Sequence, residues 1–332
     1  MIGKLPRASD SEGTPLMDGK NGMGLTRPFI GIIGGSGLES EMHRAFPGTT
    51  FDPVRVDTPF GAPSEDILLG TVHGTKVALL TRHGAGHRFS PSAVPYRANI
   101  YALKALGVTH LIATGAVGSL REEMRPGDIV VVDQFIDRTV ERPRTFFDSA
   151  AVHVDFADPT CPALRHWLIR AAGPDQSTTR QGPRIHASGT YVCIEGPSFS
   201  TRAESRMHRM LGADVVGMTA LPEARLAREA GMSYALIALP TDYDSWRSNQ
   251  DTLPDGSHTL SEVIRSNLAQ ASRACVSVLT HALSDAATLA ASKCNCGRAL
   301  QNAAWSGTEA FLPTELAAYR LFHDKAGEAE GL

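Results

Sequence analysis

Short apolar runs recur along the middle of the chain, at Phe29–Ile33, Val77–Leu80, Leu111–Ala113, Ile129–Val132, Tyr191–Ile194, Val215–Met218 and Ala235–Leu239. Many are apolar at consecutive positions, which predicts strands buried on both faces. Between them lie segments with helical spacing, namely Tyr96–Leu106, Ala163–Ala172, Arg202–Leu211 and Glu223–Ala230. From Thr259 to about Ser284, the residues Leu260, Ile264, Leu268, Val276, Leu279 and Leu283 fit one face of a long helix. This alternation predicts an α/β fold, a single domain with a central mixed β-sheet flanked by helices.

The punctuation agrees. Thr201 with Glu204, and Thr259 with Glu262, have capping-box spacing. Pro222 suits a first helical turn. Gly107, Gly212 and Gly231 each follow a helical segment, where a left-handed cap is wanted. Residues 1–27 are rich in Gly, Pro, Ser and charge and read as a flexible arm. No linker-like segment divides residues 28–285, which read as one domain. Residues 286–332 form a less regular extension with a short helix expected at Ala310–Leu321.

Composition narrows the classes. Of 332 residues, 42% are hydrophobic and 20% charged, which suits a packed core. A net charge of −3 argues against a broad nucleic-acid-binding face. No apolar run approaches the roughly 18 residues of a membrane helix, and the first residues lack the apolar stretch of a signal peptide. Five cysteines, an odd and sparse count, suggest a reduced, cytoplasmic chain. Cys294 and Cys296 flank Asn295. They read as two thiols in a surface loop, as a labile redox pair, or as part of a metal site, although no second Cys or His pair lies nearby in sequence.

The chemistry sits after the strands, where open α/β sheets bind ligands. Gly34-Gly35-Ser36-Gly37 offers backbone N–H groups and a hydroxyl to an oxyanion, or is only a tight turn. Its spacing departs from the dinucleotide fingerprint. Arg82 suits a bidentate phosphate clamp or a surface ion pair. The adjacent His83 suits a ligand donor or a structural group. Thr114–Ser119 is a ligand-facing loop or a small-residue turn, and Phe199 stacks on a planar base or fills the core. Asp242 and Asp244 share one side of an extended segment. Together the set describes a site for an oxyanion, a planar base and an acid-assisted leaving group.

These residues belong to a longer series: Gly31–Gly37, Asp57–Gly61, Arg82–Gly84, Gly118–Glu122, Arg125–Asp128, Asp133–Thr139, Glu195–Pro197, Arg202–Ser205 and Thr241–Asp244. With them the chain resembles the methylthioadenosine phosphorylase branch of the trimeric purine nucleoside phosphorylase family, from about Ile30 to Leu283. The resemblance implies reversible phosphorolysis of 5′-methylthioadenosine to adenine and 5-methylthioribose 1-phosphate. It implies no metal or organic cofactor, with inorganic phosphate as co-substrate.

Carried over residue by residue, the resemblance gives phosphate to Ser36, Arg82, His83, Gly115, Ala116 and Thr219. Met218 would lie against the ribose and Phe199 against the base. Asp242 would meet the purine N7 and 6-amino group, supported by Asp244, and burial should raise its pKa. Glu195 and Ser200 would be further base-pocket members. Leu260 and Ile264 would wall the methylthio group. His153 would reach the sugar from a neighbouring subunit, so the site implies a homotrimer. Relatives acting on 6-oxopurines have Asn at the position of Asp242 and Glu at that of Ser200. Gly115 stands where some relatives carry Thr. The Cys294/Cys296 pair is locally similar to a Cys-x-Cys of thermophilic relatives linked to disulfide handling. A 6-oxopurine or methylthioinosine phosphorylase, a hydrolytic nucleosidase and an inactive nucleoside-binding protein are the alternatives.

Overall fold

The computed structural model describes residues 28–35, 37–173, 183–247 and 260–327. Ser36, the N-terminal arm and Thr259 of the second capping box lie outside them. The strands are β1 (Ile30–Gly34), β2 (Asp52–Val54), β3 (Ile67–Val72), β4 (Thr75–Thr81), β5 (His110–Ser119), β6 (Ile129–Val132), β7 (Gln134–Arg138), β8 (Ile185–His186), β9 (Thr190–Ile194), β10 (Val215–Gly217) and β11 (Ser233–Tyr243). The α-helices are α1 (Leu38–Ala45), α2 (Tyr96–Ala105), α3 (Pro162–Ala171), α4 (Arg202–Met210), α5 (Ala220–Glu229), α6 (Leu260–Ser284), α7 (Ala286–Ala291) and α8 (Pro313–Gly327). Each apolar run singled out above falls in a strand, except that Phe29 precedes β1 and Met218 follows β10.

The strands join in one mixed sheet ordered β2-β3-β4-β1-β5-β10-β9-β7, from which β11, β6 and β8 branch at β5. The long β5 is the hub. It pairs in parallel with β1 and β11 and, through Gly118 and Ser119, antiparallel with β10. Alternation along the strands sorts side chains to two faces. Ile33, Leu80, Leu111 and Ala113 pack with α2, α5 and α8. Ile30, Ile32, Leu79, Ile112 and Ile237 pack with α1, α3, α6 and α7. The single-domain α/β expectation holds.

Local signals explain several ends. The Thr201 hydroxyl accepts from the Glu204 N–H while Glu204 accepts from the Thr201 N–H, the reciprocal cap that the spacing predicts. Gly107, Gly212 and Gly231 have φ of 96°, 85° and 63°. Pro222 follows Leu221, whose backbone is not helical, so regular turns of α5 begin at the proline. The C-terminal helix is longer than Ala310–Leu321, since α8 runs to Gly327. It inserts Ala318 and Phe322 into the core shared with α2 and α5. Cys294 is exposed as expected of a loop thiol, but Cys296 is buried against Cys161. No helix among the described residues is long and apolar enough to cross a membrane.

Candidate active site

A cavity of about 450 Å³ opens where β1, β4, β5, β10 and β11 end, under α6. Gly35, Arg82, His83, Gly115, Ala116, Phe199, Met218, Thr219, Asp242, Asp244 and Ile264 all line it. Sequence-distant candidates are thus brought to one place by the common ends of the parallel β1, β4, β5 and β11, joined by the end of β10, which runs antiparallel to β5. The side chain of Leu260 lies outside the described residues.

The anion side begins with Arg82, directly after β4. It is buried, with side-chain exposure of 1%, and so is Glu223 of α5. Nε donates to Glu223 Oε2 at 2.7 Å and Nη2 to Oε1 at 3.0 Å. Nη1 donates to the Thr114 carbonyl at 2.8 Å. Burial works against the guanidinium charge, but the charge and hydrogen bonds of Glu223 outweigh it and raise the pKa. The sequence reading of a bidentate phosphate clamp needs correction. The fork is taken by a carboxylate, and one N–H of Nη1 is left for an anion.

His83 is held by its Nδ1, 2.8 Å from the Phe89 carbonyl, and stacks on His87 at 4.1 Å. Burial first, and then the Arg82 charge, lower its pKa to about 4. At neutral pH the ring is therefore uncharged. A carbonyl only accepts, so Nδ1 carries the proton and Nε2 is an acceptor. Thr219 precedes α5, and its N–H donates to the Tyr191 hydroxyl at 3.3 Å. A β-carbon at Gly217 would overlap that hydroxyl, so glycine there lets Tyr191 reach Thr219. A β-carbon at Gly115 would touch the Thr219 Oγ1 at 3.5 Å, an ordinary contact.

The base side is built by β11. Its register against β5 shifts between Pro240 and Asp242. Pro240 has no N–H for a ladder, and the bulge turns Thr241 and Asp242 into the cavity. The Thr241 hydroxyl donates to Asp242 Oδ1 at 2.8 Å. Burial raises the Asp242 pKa to about 6, with the Asp244 charge adding to the rise and the Thr241 hydrogen bond opposing it. Asp244 Oδ2 and Ser200 Oγ are buried without a hydrogen-bond partner among the described residues. Both side chains line the cavity, so a ligand there would satisfy them. Phe199 is 62% exposed at the mouth, against the default expectation of a core phenylalanine. Leu239, Ile264 and Leu268 form an apolar patch.

The family model for the phosphorylase superfamily matches residues 29–284. The chain belongs to the phosphorylase superfamily. An S-methyl-5′-thioadenosine phosphorylase of Thermofilum pendens is 46% identical over 275 residues, covering 82% of this chain and 97% of that relative. The crystal structure of a methylthioadenosine phosphorylase from an antarctic soil metagenomic library superposes with a TM-score of 0.77 at 45% identity, over 88% of this chain and 99% of that one. A mutant of the Schistosoma mansoni adenosine/methylthioadenosine phosphorylase, in complex with methylthioadenosine, gives a TM-score of 0.71 at 36% identity, over 90% of this chain and 98% of that one.

Within this phosphorylase pocket, two expectations fall elsewhere. Glu195 does not line the cavity. Burial raises its pKa, but hydrogen bonds from Ser92, Val140 and Arg142 outweigh that and hold it down at about 2. It fastens the 139–142 loop. His153 is exposed on the surface, its ring edge-on to Trp305 at 5.6 Å, with Trp305 79% exposed. It does not reach the cavity of its own chain. Glu223 and Arg265, which also lines the cavity, were not marked by the sequence. Acidic and basic residues in helices read as solvated; Arg265 is exposed while it borders the cavity, and only the tertiary fold shows Glu223 to be buried.

Proposed function

We propose that this chain catalyses phosphorolysis of 5′-methylthioadenosine, giving adenine and 5-methylthioribose 1-phosphate. One observation carries the reading. Asp242, an acid with its pKa raised to about 6, shares one cavity with Arg82, His83 and Thr219, groups suited to hold an anion. The methylthioadenosine phosphorylases among its relatives support the substrate.

Phosphate lies among Gly35, Arg82, His83, Gly115, Ala116 and Thr219, with Ser36 a further contributor. The free N–H of Arg82 donates to one oxygen. The neutral His83 accepts the hydrogen of HPO4²⁻ at Nε2. A phosphate oxygen then bonds to the anomeric carbon as the glycosidic C–N bond breaks. The bond pair goes to the purine, and N7 takes the proton of Asp242. Over the cycle the hydrogen of phosphate replaces the one that Asp242 gave. The developing sugar cation is stabilised by the phosphate beside it, so positioning and electrostatics supply most of the acceleration.

With its O–H turned to N7, Asp242 accepts from the 6-amino group through its other oxygen, whereas a 6-oxo group would need a donor there, such as the amide of Asn. Asp244 and Ser200 complete the base pocket, Phe199 covers the base and Met218 the ribose. Leu260, Ile264 and Leu268 meet the methylthio group. Phosphate is a co-substrate, and no organic cofactor or metal takes part in the reaction. A homotrimer in the cytoplasm is the working assembly, with His153 contributing across the subunit border. Nucleic acid and membrane are not partners. The test is a panel of adenine and hypoxanthine nucleosides, with and without a 5′-methylthio group, assayed with and without phosphate. Phosphate-dependent cleavage of methylthioadenosine above all others supports the reading. Preference for hypoxanthine nucleosides overturns it.

A further inference from the structure

Three cysteines, Cys161 and the distant pair Cys294 and Cys296, meet at the opposite end of β11 from Asp242. Cys161 immediately precedes α3, and its N–H donates to the Tyr234 carbonyl at 2.7 Å. Cys294 and Cys296 lie in the segment that follows α7. The three sulfur atoms all lie within 4.8 Å of one another, and none is in a disulfide. We propose that Cys161, Cys294 and Cys296 bind one thiophilic d10 cation of the Zn(II) type, which staples the C-terminal segment to the sheet.

The donor set fits that class of ion. Thiolate sulfur selects Zn(II) and Cu(I) over Mg(II) or Ca(II). Around a metal with bonds of about 2.3 Å, sulfur atoms sit about 3.8 Å apart. The three sulfur atoms, within 4.8 Å of one another, are already close to that spacing. Charge is also provided for. Three thiolates and a divalent ion leave one net negative charge, and Arg228 donates from Nη1 to the Cys296 sulfur at 3.9 Å. The Ser233 hydroxyl lies 3.2 Å from the Cys294 sulfur, which places a hydroxyl beside the cluster. Cys161 and Cys296 are buried while Cys294 is exposed, so an ion has a way in from solvent and a dry side to rest against. Binding replaces S–H bonds by S–metal bonds and sends the thiol protons to solvent.

The site is remote from the reaction. Ser233 starts β11 and Asp242 lies near its end, a span of roughly 30 Å at the rise of an extended strand. An ion here would bind the folded chain and raise its stability.

The full chain, reduced and stripped with a chelator, is titrated with Zn(II) under nitrogen. One equivalent is expected to bind, release protons, raise the melting temperature and shield Cys294 from alkylation. Cd(II) in its place is expected to give thiolate-to-metal absorption of three-sulfur intensity. Cys294→Ser, at the exposed position, should fold and should weaken Zn(II) by more than about 100-fold, beyond the 10–100-fold typical of losing a partner that only orients a ligand. Cys161→Ala should do the same. The proposal is overturned if no equivalent binds, if Cys294 stays as reactive at saturating Zn(II), or if Cys294→Ser binds Zn(II) as tightly as the native chain.

Discussion

The carboxylate of Glu223 grips the guanidinium of Arg82 through two hydrogen bonds, of 2.7 and 3.0 Å, inside the wall of the anion site. The pair is stacked behind the cavity, with Tyr234 donating to Glu223 Oε1 at 3.0 Å. Arg82 is thereby fixed in place before any anion arrives, with its charge offset by that of Glu223. An incoming dianion meets a pre-oriented dipole rather than a mobile cation, so less ordering is needed on binding.

This pairing changes what an Arg82 variant reports. Arg82→Ala leaves Glu223 buried and unpaired, which costs about 3–5 kcal/mol. The single variant should therefore lose stability as well as phosphate affinity. Replacing both partners, as Arg82→Met with Glu223→Leu, should recover most of the stability and keep a raised phosphate KM. Chemical denaturation and phosphate kinetics on both variants and the native chain check this. A double variant as unstable as Arg82→Ala contradicts the assignment.

Asp242 should govern the pH dependence. Its folded pKa of about 6 lies above the ordinary carboxyl value. The protonated form that supplies N7 is lost as pH rises through about 6. At saturating phosphate, kcat/KM for methylthioadenosine should fall on that side. Asp242→Asn should remove this limb and lower turnover by roughly 10²-fold or more, the usual scale for losing a general acid. It should also shift the residual preference toward 6-oxo nucleosides. A profile unchanged in the variant contradicts the role.

Glu229 gives a stability test away from the chemistry. It is 5% exposed and accepts from the Phe146 N–H at 2.8 Å. Burial raises its pKa to about 7, against the partial relief of its hydrogen bonds. A raised carboxyl pKa favours the folded state fully below the unfolded value of about 4.5. That benefit is lost as pH rises through about 7. The difference is on the order of 3 kcal/mol. Glu229→Gln should leave stability near native at pH 4 and raise it at pH 8. Urea unfolding at the two pH values reads the difference, and a variant equally destabilised at both contradicts it.

His153 tests the shared site. It is exposed beside Trp305 and lies outside the cavity of its own chain. Mixing inactive His153→Ala and Asp242→Ala proteins under subunit exchange should restore part of the activity. Exchanged assemblies that stay inactive contradict a contribution across subunits.

The sequence was most readable where burial is two-sided. Strands such as β6, Ile129–Val132, are buried at every position and show as unbroken apolar runs. Strand β7, Gln134–Arg138, lies at a sheet edge and carries polar residues, so it had no apolar signature. Helix α1 buries only Leu38 and Met42 among charged neighbours. The site residues after strand ends were found because parallel strands bring such ends together. Glu223 escaped notice because its partner lies far away in sequence, and Cys161 joined Cys294 and Cys296 only through the fold. The occupied Arg82 fork was likewise a tertiary fact.

The reaction transfers the methylthioribosyl group to phosphate, with adenine leaving. The most direct measurement incubates the purified chain with 5′-methylthioadenosine and phosphate bearing an ¹⁸O label, and analyses the sugar product by mass spectrometry. The account predicts adenine together with 5-methylthioribose 1-phosphate that retains the label at the anomeric oxygen, and no cleavage when phosphate is withheld. Free methylthioribose formed at the same rate without phosphate would contradict it.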